Sequence, residues 1–382
     1  ATGRGIEGLT DNPGILLTLL AFLIVIGVLV FVHEMGHYLV GRWCGVKAET
    51  FSIGFGKEIA GWTDKRGTRW KVCMLPLGGY VQFAGDMDPS GMKSKEWLSL
   101  PAAERNQTFQ SKSLWQRAAI VIAGPAINFI FAILIIMGFV IAYGTSAALP
   151  IAQQISENST AAAIGMQPGD RVISVAGEKI DLFEDLQQKI IMIPDQNVEI
   201  VYERDGQLIA GQGKIGVNIM KDRFGNEYRL GLLGMSSSQV EWREVSPIEA
   251  PVVAVEKTAA IVDQITTTLG QVITGKRSIK ELGGPLKIAQ VSGEQFKMGL
   301  ETFVLFVALI SINLGFINLL PIPMLDGGHL MFYAIEAVRR KPASPKVQEW
   351  AFKSGFALVM VFMLVVTFND LSSFGLFRAL SG

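Results

Sequence analysis

The chain has 382 residues, 49% of them hydrophobic and 18% charged, and its mean hydropathy is +0.36. With 34 basic and 34 acidic side chains the net charge is zero, so charge offers no case for nucleic acid as a partner, and the apolar excess argues against an ordinary soluble globule. Two cysteines, Cys44 and Cys73, are too few for a disulfide scaffold or a cysteine-based zinc site; both flank a stretch read below as cytoplasmic, where thiols stay reduced and no disulfide is expected.

The first predicted element is an apolar helix from Gly14 to Val40. About 20 helical residues cross a hydrocarbon core about 30 Å thick, so this segment is long enough to span. It is too long for the core of a cleaved signal peptide, which predicts an uncleaved membrane helix. Its second half, LIVIGVLVFVHEMGHYLV, carries His33, Glu34 and His37 in the HExxH spacing. On a helix that spacing stacks two imidazoles one turn apart on one face, where both can bind one zinc ion. Glu34 adjoins the same open side, where it can take a proton from metal-activated water and pass it to a leaving amine. Coincidental helix-packing histidines are the plainer alternative. Against it, the chain has only three histidines, and ionisable groups inside a membrane segment are costly enough to mark function.

Next, FSIGFGKEIAGWT and TRWKVCMLPLGGYVQF alternate bulky with small or polar residues, which predicts a membrane-associated β-hairpin. Its edge either receives an extended substrate by strand addition or simply packs against the helices. A second span runs from Leu114 to Tyr143. From about Ala147 to Met235 the chain turns polar and soluble-like: NSTAAAIGMQPGDRVISVAGEKI reads as a short helix, turn, strand and turn, and VEIVYERDGQLIAGQG as a hairpin around Asp205-Gly206. This stretch resembles a PDZ domain of the bacterial protease type, a peptide-binding module, although a spacer that binds nothing is the alternative. An amphipathic helical region from Val245 to Ile288 leads back to two further spans, Phe303–Leu320 and Trp350–Phe368. The expected divisions are a first half of the membrane core over 1–143, a PDZ-like domain over 144–240, a connecting helical region over 241–300 and a second half of the core over 301–382.

Short membrane-flanking loops rich in Lys and Arg stay cytoplasmic. The connection after the first span holds Arg42, Lys47, Lys57, Lys65, Arg66, Arg69 and Lys71 among others, and the one before the fourth holds Arg339, Arg340, Lys341, Lys346 and Lys353. Both are therefore expected on the cytoplasmic side, with the two termini and the PDZ-like domain outside and the histidine motif toward the cytoplasmic end of its helix.

A catalytic zinc site has three protein ligands and one open position, so the two histidines need a partner. His329 is available, but Asp326 has the better claim: Pro321 and Pro323 break the third span in NLLPIPMLDGGHL, and a lone carboxylate at membrane depth needs a counter-charge. His329 is then either a hydrogen-bond donor behind the ligands or a packed residue, and the packed reading is preferred.

HEMGH in one span and NLLPIPMLDGG in a later one are similar to the paired motifs of the site-2 protease family of intramembrane metalloproteases. The element order, with LPLGGYV in the hairpin, GPAIN from Gly124 to Asn128 and a GGP turn at Gly283-Gly284-Pro285, resembles the bacterial regulator of sigma-E protease group over nearly the whole chain. The resemblance implies a polytopic α-helical membrane protein of about four transmembrane helices with an inserted α+β PDZ-like domain. It implies one zinc ion per chain on His33, His37 and Asp326, with Glu34 as the catalytic base. Asn318, Pro321 and Pro323 would hold an unwound substrate, and Asn128, which matches a family position in GPAIN, is counted with them as a substrate-binding residue. The implied substrates are transmembrane segments of single-pass proteins, such as an anti-sigma factor already trimmed outside the membrane or a remnant signal peptide, with membrane lipid around the core and a peptide or chain terminus at the PDZ-like domain. The implied location is the bacterial inner membrane. One PDZ-like unit is visible where better-known members carry two. A zinc-containing membrane scaffold without proteolytic activity is the alternative, and a transporter is less apt because only one broken helix is visible.

Overall fold

A computed structural model describes residues 14–85, 101–221, 227–237, 240–278 and 283–373. The chain begins with helix α1 (Ile15–Trp43) and strands β1 (Ala48–Thr63) and β2 (Arg69–Phe83), then enters helix α2 (Leu114–Tyr143). A run of short strands follows: β3 (Thr145–Ala148), β4 (Gln154–Ile155), β5 (Arg171–Val175) and β6 (Glu178–Lys179). Helix α3 (Phe183–Met192) precedes β7 (Asn197–Arg204), β8 (Gln207–Lys214), β9 (Gly216–Lys221), β10 (Glu227–Leu232), β11 (Met235–Ser236) and β12 (Val240–Arg243). Five helices close the chain: α4 (Ala250–Ile273), α5 (Pro285–Met298), α6 (Leu300–Leu319), α7 (Asp326–Arg339) and α8 (Pro345–Ser373).

Among the described residues, four helices, α1, α2, α6 and α8, are long and apolar enough to cross a membrane. They fall where hydropathy predicts spans. Leu16, Leu19, Leu20 and Leu23 of α1 and Leu358, Val361, Phe362 and Leu364 of α8 are exposed, as side chains are when lipid rather than protein covers them. The chain separates into two compact units, one formed by residues up to 136 and Gly283–Phe368, the other by Met137–Leu282 with the chain from Asn369. In that division α4 belongs to the second unit and α5 to the first.

In the first unit, α1 buries Ala21, Val25 and Leu29, a four-residue spacing that forms one stripe, against Phe303 and Val307 of α6. Gly36 of α1 sits against the backbone of Ala123 in α2, and Gly315 of α6 lies against Phe129 and the carbonyl of Pro125 on the same helix. The predicted hairpin is more strongly bent than its sequence suggests. Phe51 lies opposite both Val81 and Trp70, and Trp62 is also opposite Trp70, so each long strand folds back on itself. Gly54, Gly56 and Gly78 make those bends at φ of 89°, 88° and 141°, where a side chain would be strained. The resulting stack of Tyr38, Phe51, Trp70 and Trp62 ties the curled sheet to the end of α1.

The second unit contains a four-stranded antiparallel sheet in the order β6-β5-β7-β8. Its core is Val172, Val175, Leu186, Ile190, Ile200, Tyr202 and Ile215, together with Ala161 from the predicted short helix Thr160–Ala163. The β7–β8 turn is Asp205-Gly206, both at positive φ, as a two-residue hairpin demands.

Candidate metal centre

Three elements far apart in sequence supply the centre. His33 and His37 come from the last third of α1, one turn apart, with rings nearly perpendicular at 87° and centroids 4.9 Å apart. Asp326 is the first residue of α7, where the helix's free N–H groups favour a negative side chain. Gly327 and Gly328 are buried against the carbonyls of Leu319, Leu320 and Ile322, so α7 starts hard against the segment that has just left α6. Met324 between them takes a φ of 91°, an unusual conformation for a side-chain-bearing residue at a functional bend.

The three candidate ligand atoms form a nearly regular triangle. His33 Nε2 is 3.3 Å from His37 Nε2 and 3.3 Å from Asp326 Oδ2, and His37 Nε2 is 3.6 Å from Asp326 Oδ2. Tetrahedral zinc with N and O ligands at about 2.0–2.1 Å requires ligand-to-ligand separations of about 3.3–3.4 Å. Asp326 Oδ2 is buried with no hydrogen-bond partner, an arrangement that costs free energy unless a cation is its partner. Both the donor set and its spacing fit a zinc ion. His33, His37 and Asp326 are the metal-competent cluster among the described residues, and His329 stands outside it, packed on Phe352 at 5.0 Å between ring centroids.

Helix α2 lies behind the histidines. His37 Nδ1 is 2.8 Å from the carbonyl of Ile120 and donates to it, which directs Nε2 to the metal side. One turn further, a Cβ on Gly124 would overlap the His37 ring and crowd His33, so only glycine admits both rings. A turn beyond that, Asn128 reaches His33 Nδ1 at 3.0 Å and is fully buried. The curled sheet meets the centre from another side: Gly79 lies against the Glu34 side chain, and the Val81 backbone is close enough to act on its carboxylate. Glu34 itself sits within electrostatic reach of His33, His37 and Asp326. Asn318 is half-buried in the last turn of α6; Pro321 is exposed, and Pro323 lies in the bend against Gly355 of α8.

Residues 21–362 match the family model described as Peptidase family M50. The chain belongs to peptidase family M50. The relatives agree along nearly their whole lengths. The M50 chain is 42% identical over 357 residues to the Agrobacterium fabrum protein Atu1380, which carries a provisional zinc-metalloprotease name, covering 92% of this chain and 95% of that one. It is 33% identical over 395 residues to metalloprotease MmpA of Caulobacter vibrioides, covering 97% and 99%. A solved structure, the PDZ domain of the SdrC-like protein of Listeria monocytogenes, is similar over 25% of this chain and 90% of its own at 15% identity and a TM-score of 0.19. The M50 chain is thus a multi-pass membrane metalloprotease of the site-2 type, with a family that implies zinc and a cluster able to hold a metal ion.

The sequence alone points to the histidines, Glu34 and Asp326, and the structure brings the three candidate ligands together. The Ile120 carbonyl and the Val81 backbone have no place in the sequence analysis, and Gly124 appears there without a role of its own. Of these only Gly124 has a signal, as the first residue of GPAIN in an otherwise bulky apolar helix.

Proposed function

We propose that this protein is a zinc-dependent intramembrane endopeptidase, binding one zinc ion per chain and cutting the transmembrane segment of single-pass membrane proteins. The observation that carries the reading is the triangle of His33, His37 and Asp326 on spanning and membrane-depth elements, with a fourth side chain, the Glu34 carboxylate, beside it. A zinc ion held there supplies the Lewis acidity that polarises a peptide carbonyl and makes attacking water acidic near neutral pH. Glu34 takes the proton from the attacking water and delivers it to the leaving amine. The glycine at 79 leaves room for the Glu34 side chain beside the cluster.

A helical substrate hides its peptide bonds, so cleavage needs it unwound. The broken segment from Asn318 to Pro323 supplies polar and irregular backbone at membrane depth, where Asn318 can both donate to and accept from an extended chain. The β2 run from Gly79 to Phe83 adjoins Glu34 and would extend such a chain by strand addition. Substrates of this kind include an anti-sigma factor trimmed outside the membrane and a remnant signal peptide, which places the enzyme in regulated intramembrane proteolysis and the sigma-E stress response. Residues 144–240 act as a PDZ-like domain on the outer face of the bacterial inner membrane, receiving a newly exposed chain terminus, while the basic loops keep the metal centre toward the cytoplasm.

The test is cleavage of a tagged single-span substrate by the purified full chain in detergent, wild type beside Glu34→Gln. Wild type is expected to cut, whereas Glu34→Gln retains zinc and does not. A Glu34→Gln protein that cuts at the wild-type rate overturns the assignment of the base.

A further inference from the structure

We infer that Asn128 is a positioning residue whose side-chain oxygen accepts the Nδ1 hydrogen of His33 and so holds the His33 ring with Nε2 toward the metal. The inference rests on the metal reading of the His33, His37 and Asp326 cluster. His33 Nε2 faces the other two ligand atoms at 3.3 Å each, so a neutral ligating imidazole there carries its hydrogen on Nδ1. The group 3.0 Å from Nδ1 belongs to the Asn128 amide and is placed as Nδ2, a donor, while Asn128 Oδ1 is buried without a partner. Amide oxygen and nitrogen differ only by a half-turn about the last side-chain bond and are assigned by their hydrogen bonds. Turning the amide gives His33 Nδ1 an acceptor and the buried oxygen a donor in one step.

Two further observations make Asn128 a fixed post rather than a passing contact. The residue is 0% exposed, and its backbone carbonyl accepts a 2.8 Å hydrogen bond from the equally buried Ser311 hydroxyl of α6. Ile120, Gly124 and Asn128 also lie on one face of α2 at four-residue intervals. One helix therefore serves both histidines, with a backbone carbonyl for His37, a side chain for His33 and a glycine between them that admits the rings. The Ile120 carbonyl is available in any sequence, whereas the His33 half of the arrangement depends on the side chain at 128.

The experiment measures zinc affinity of the full chain in detergent by competition with a chromophoric chelator, alongside the thermal midpoint of the metal-free protein. Asn128→Leu keeps the branched shape, with somewhat more volume, but has no acceptor, and its affinity is expected to fall about 10–100-fold. Asn128→Asp offers only acceptors, so it is expected to bind near the wild-type level, as a carboxylate behind a metal-bound histidine does. Should Leu fail to fold, Asn128→Ala, which only removes atoms, takes its place. Wild-type affinity in the Leu or Ala protein overturns the inference, as does an Asp protein that melts like wild type yet binds as weakly as Leu. A wild-type chain that binds no zinc overturns the metal reading itself, a result separate from either of those.

Discussion

At the scale of single residues, the centre depends as much on an absent side chain as on those present. A methyl group on Gly124 would meet the His37 ring and come within 2.9 Å of His33, and the neighbouring atoms on one side are the candidate ligands themselves. Gly124→Ala is expected to lower zinc affinity and cleavage together and to cost about 1–3 kcal/mol of stability by overpacking, measured by chelator competition and thermal melting. Gly138, on the same helix with open space within 4 Å of where an added methyl would lie, provides the control: Gly138→Ala should leave zinc binding unchanged. Asp326 makes the complementary case. Asp326→Asn keeps the shape and removes the negative charge, so zinc affinity should drop by more than the roughly tenfold minimum typical of residues behind the ligands, read as zinc lost on dialysis against a chelator. Unchanged zinc content would remove Asp326 from the ligand set.

At the scale of elements, the aspartate is only as well placed as α7. Near the start of α2, Arg117 pairs with Glu336 of α7 at 2.8 Å and lies 5.0 Å over the Tyr333 ring, with both charged side chains about one-fifth exposed. This pair joins the helix behind the histidines to the helix that begins at Asp326. Arg117→Met and Glu336→Gln should each destabilise the protein and together show a coupling of about 1–2 kcal/mol, while either alone also weakens zinc retention. Additive effects would mean that the pair is incidental. The elements also show what a sequence makes legible. HExxH is local, because four residues bring two rings together whatever the rest of the chain does. Asp326 is legible by cost, as a lone carboxylate next to a broken apolar helix. By contrast, the Ile120 carbonyl meets His37 across 83 positions and Asn128 meets His33 across 95, and backbone groups have no identity for a sequence to display. The curl of β1 and β2 is hidden for a related reason: glycines at 54, 56 and 78 permit bends but do not say which rows then pair. Helix α3 is also absent from the sequence reading, although its buried Leu186 and Ile190 have helical spacing.

At the scale of the whole molecule, two solvents divide the work of stability. The first unit leaves leucines, valines and phenylalanines on its spanning helices exposed, and no water-driven collapse holds such helices together, so close approach at Gly36, Gly124 and Gly315 takes over that role. The second unit has a conventional apolar core and, at Asp170, a deeply buried charge. Asp170 is 1% exposed and takes two hydrogen bonds from Arg204, at 2.8 Å and 2.7 Å, plus one from the Gln167 backbone at 2.7 Å. The Arg204 guanidinium, more than any other neighbour, holds the Asp170 carboxyl below the usual carboxylate range. A carboxyl whose pKa is depressed on folding contributes its full stability above the unfolded value near 4 and loses it as pH falls through the folded value. The second unit should therefore keep its melting temperature from neutral pH down to about pH 5 and lose stability below about pH 4. Asp170→Asn removes the charge that Arg204 pairs with and should cost roughly 2–3 kcal/mol at neutral pH, leaving a melting temperature that is less sensitive to acid. Because Asp170 belongs to the unit without the metal ligands, the same variant should retain zinc at the wild-type affinity. A zinc loss that tracks the melting of the Asp170→Asn protein would show that the two units fold as one cooperative body, and equal acid sensitivity in variant and wild type would place the acid-labile charge elsewhere.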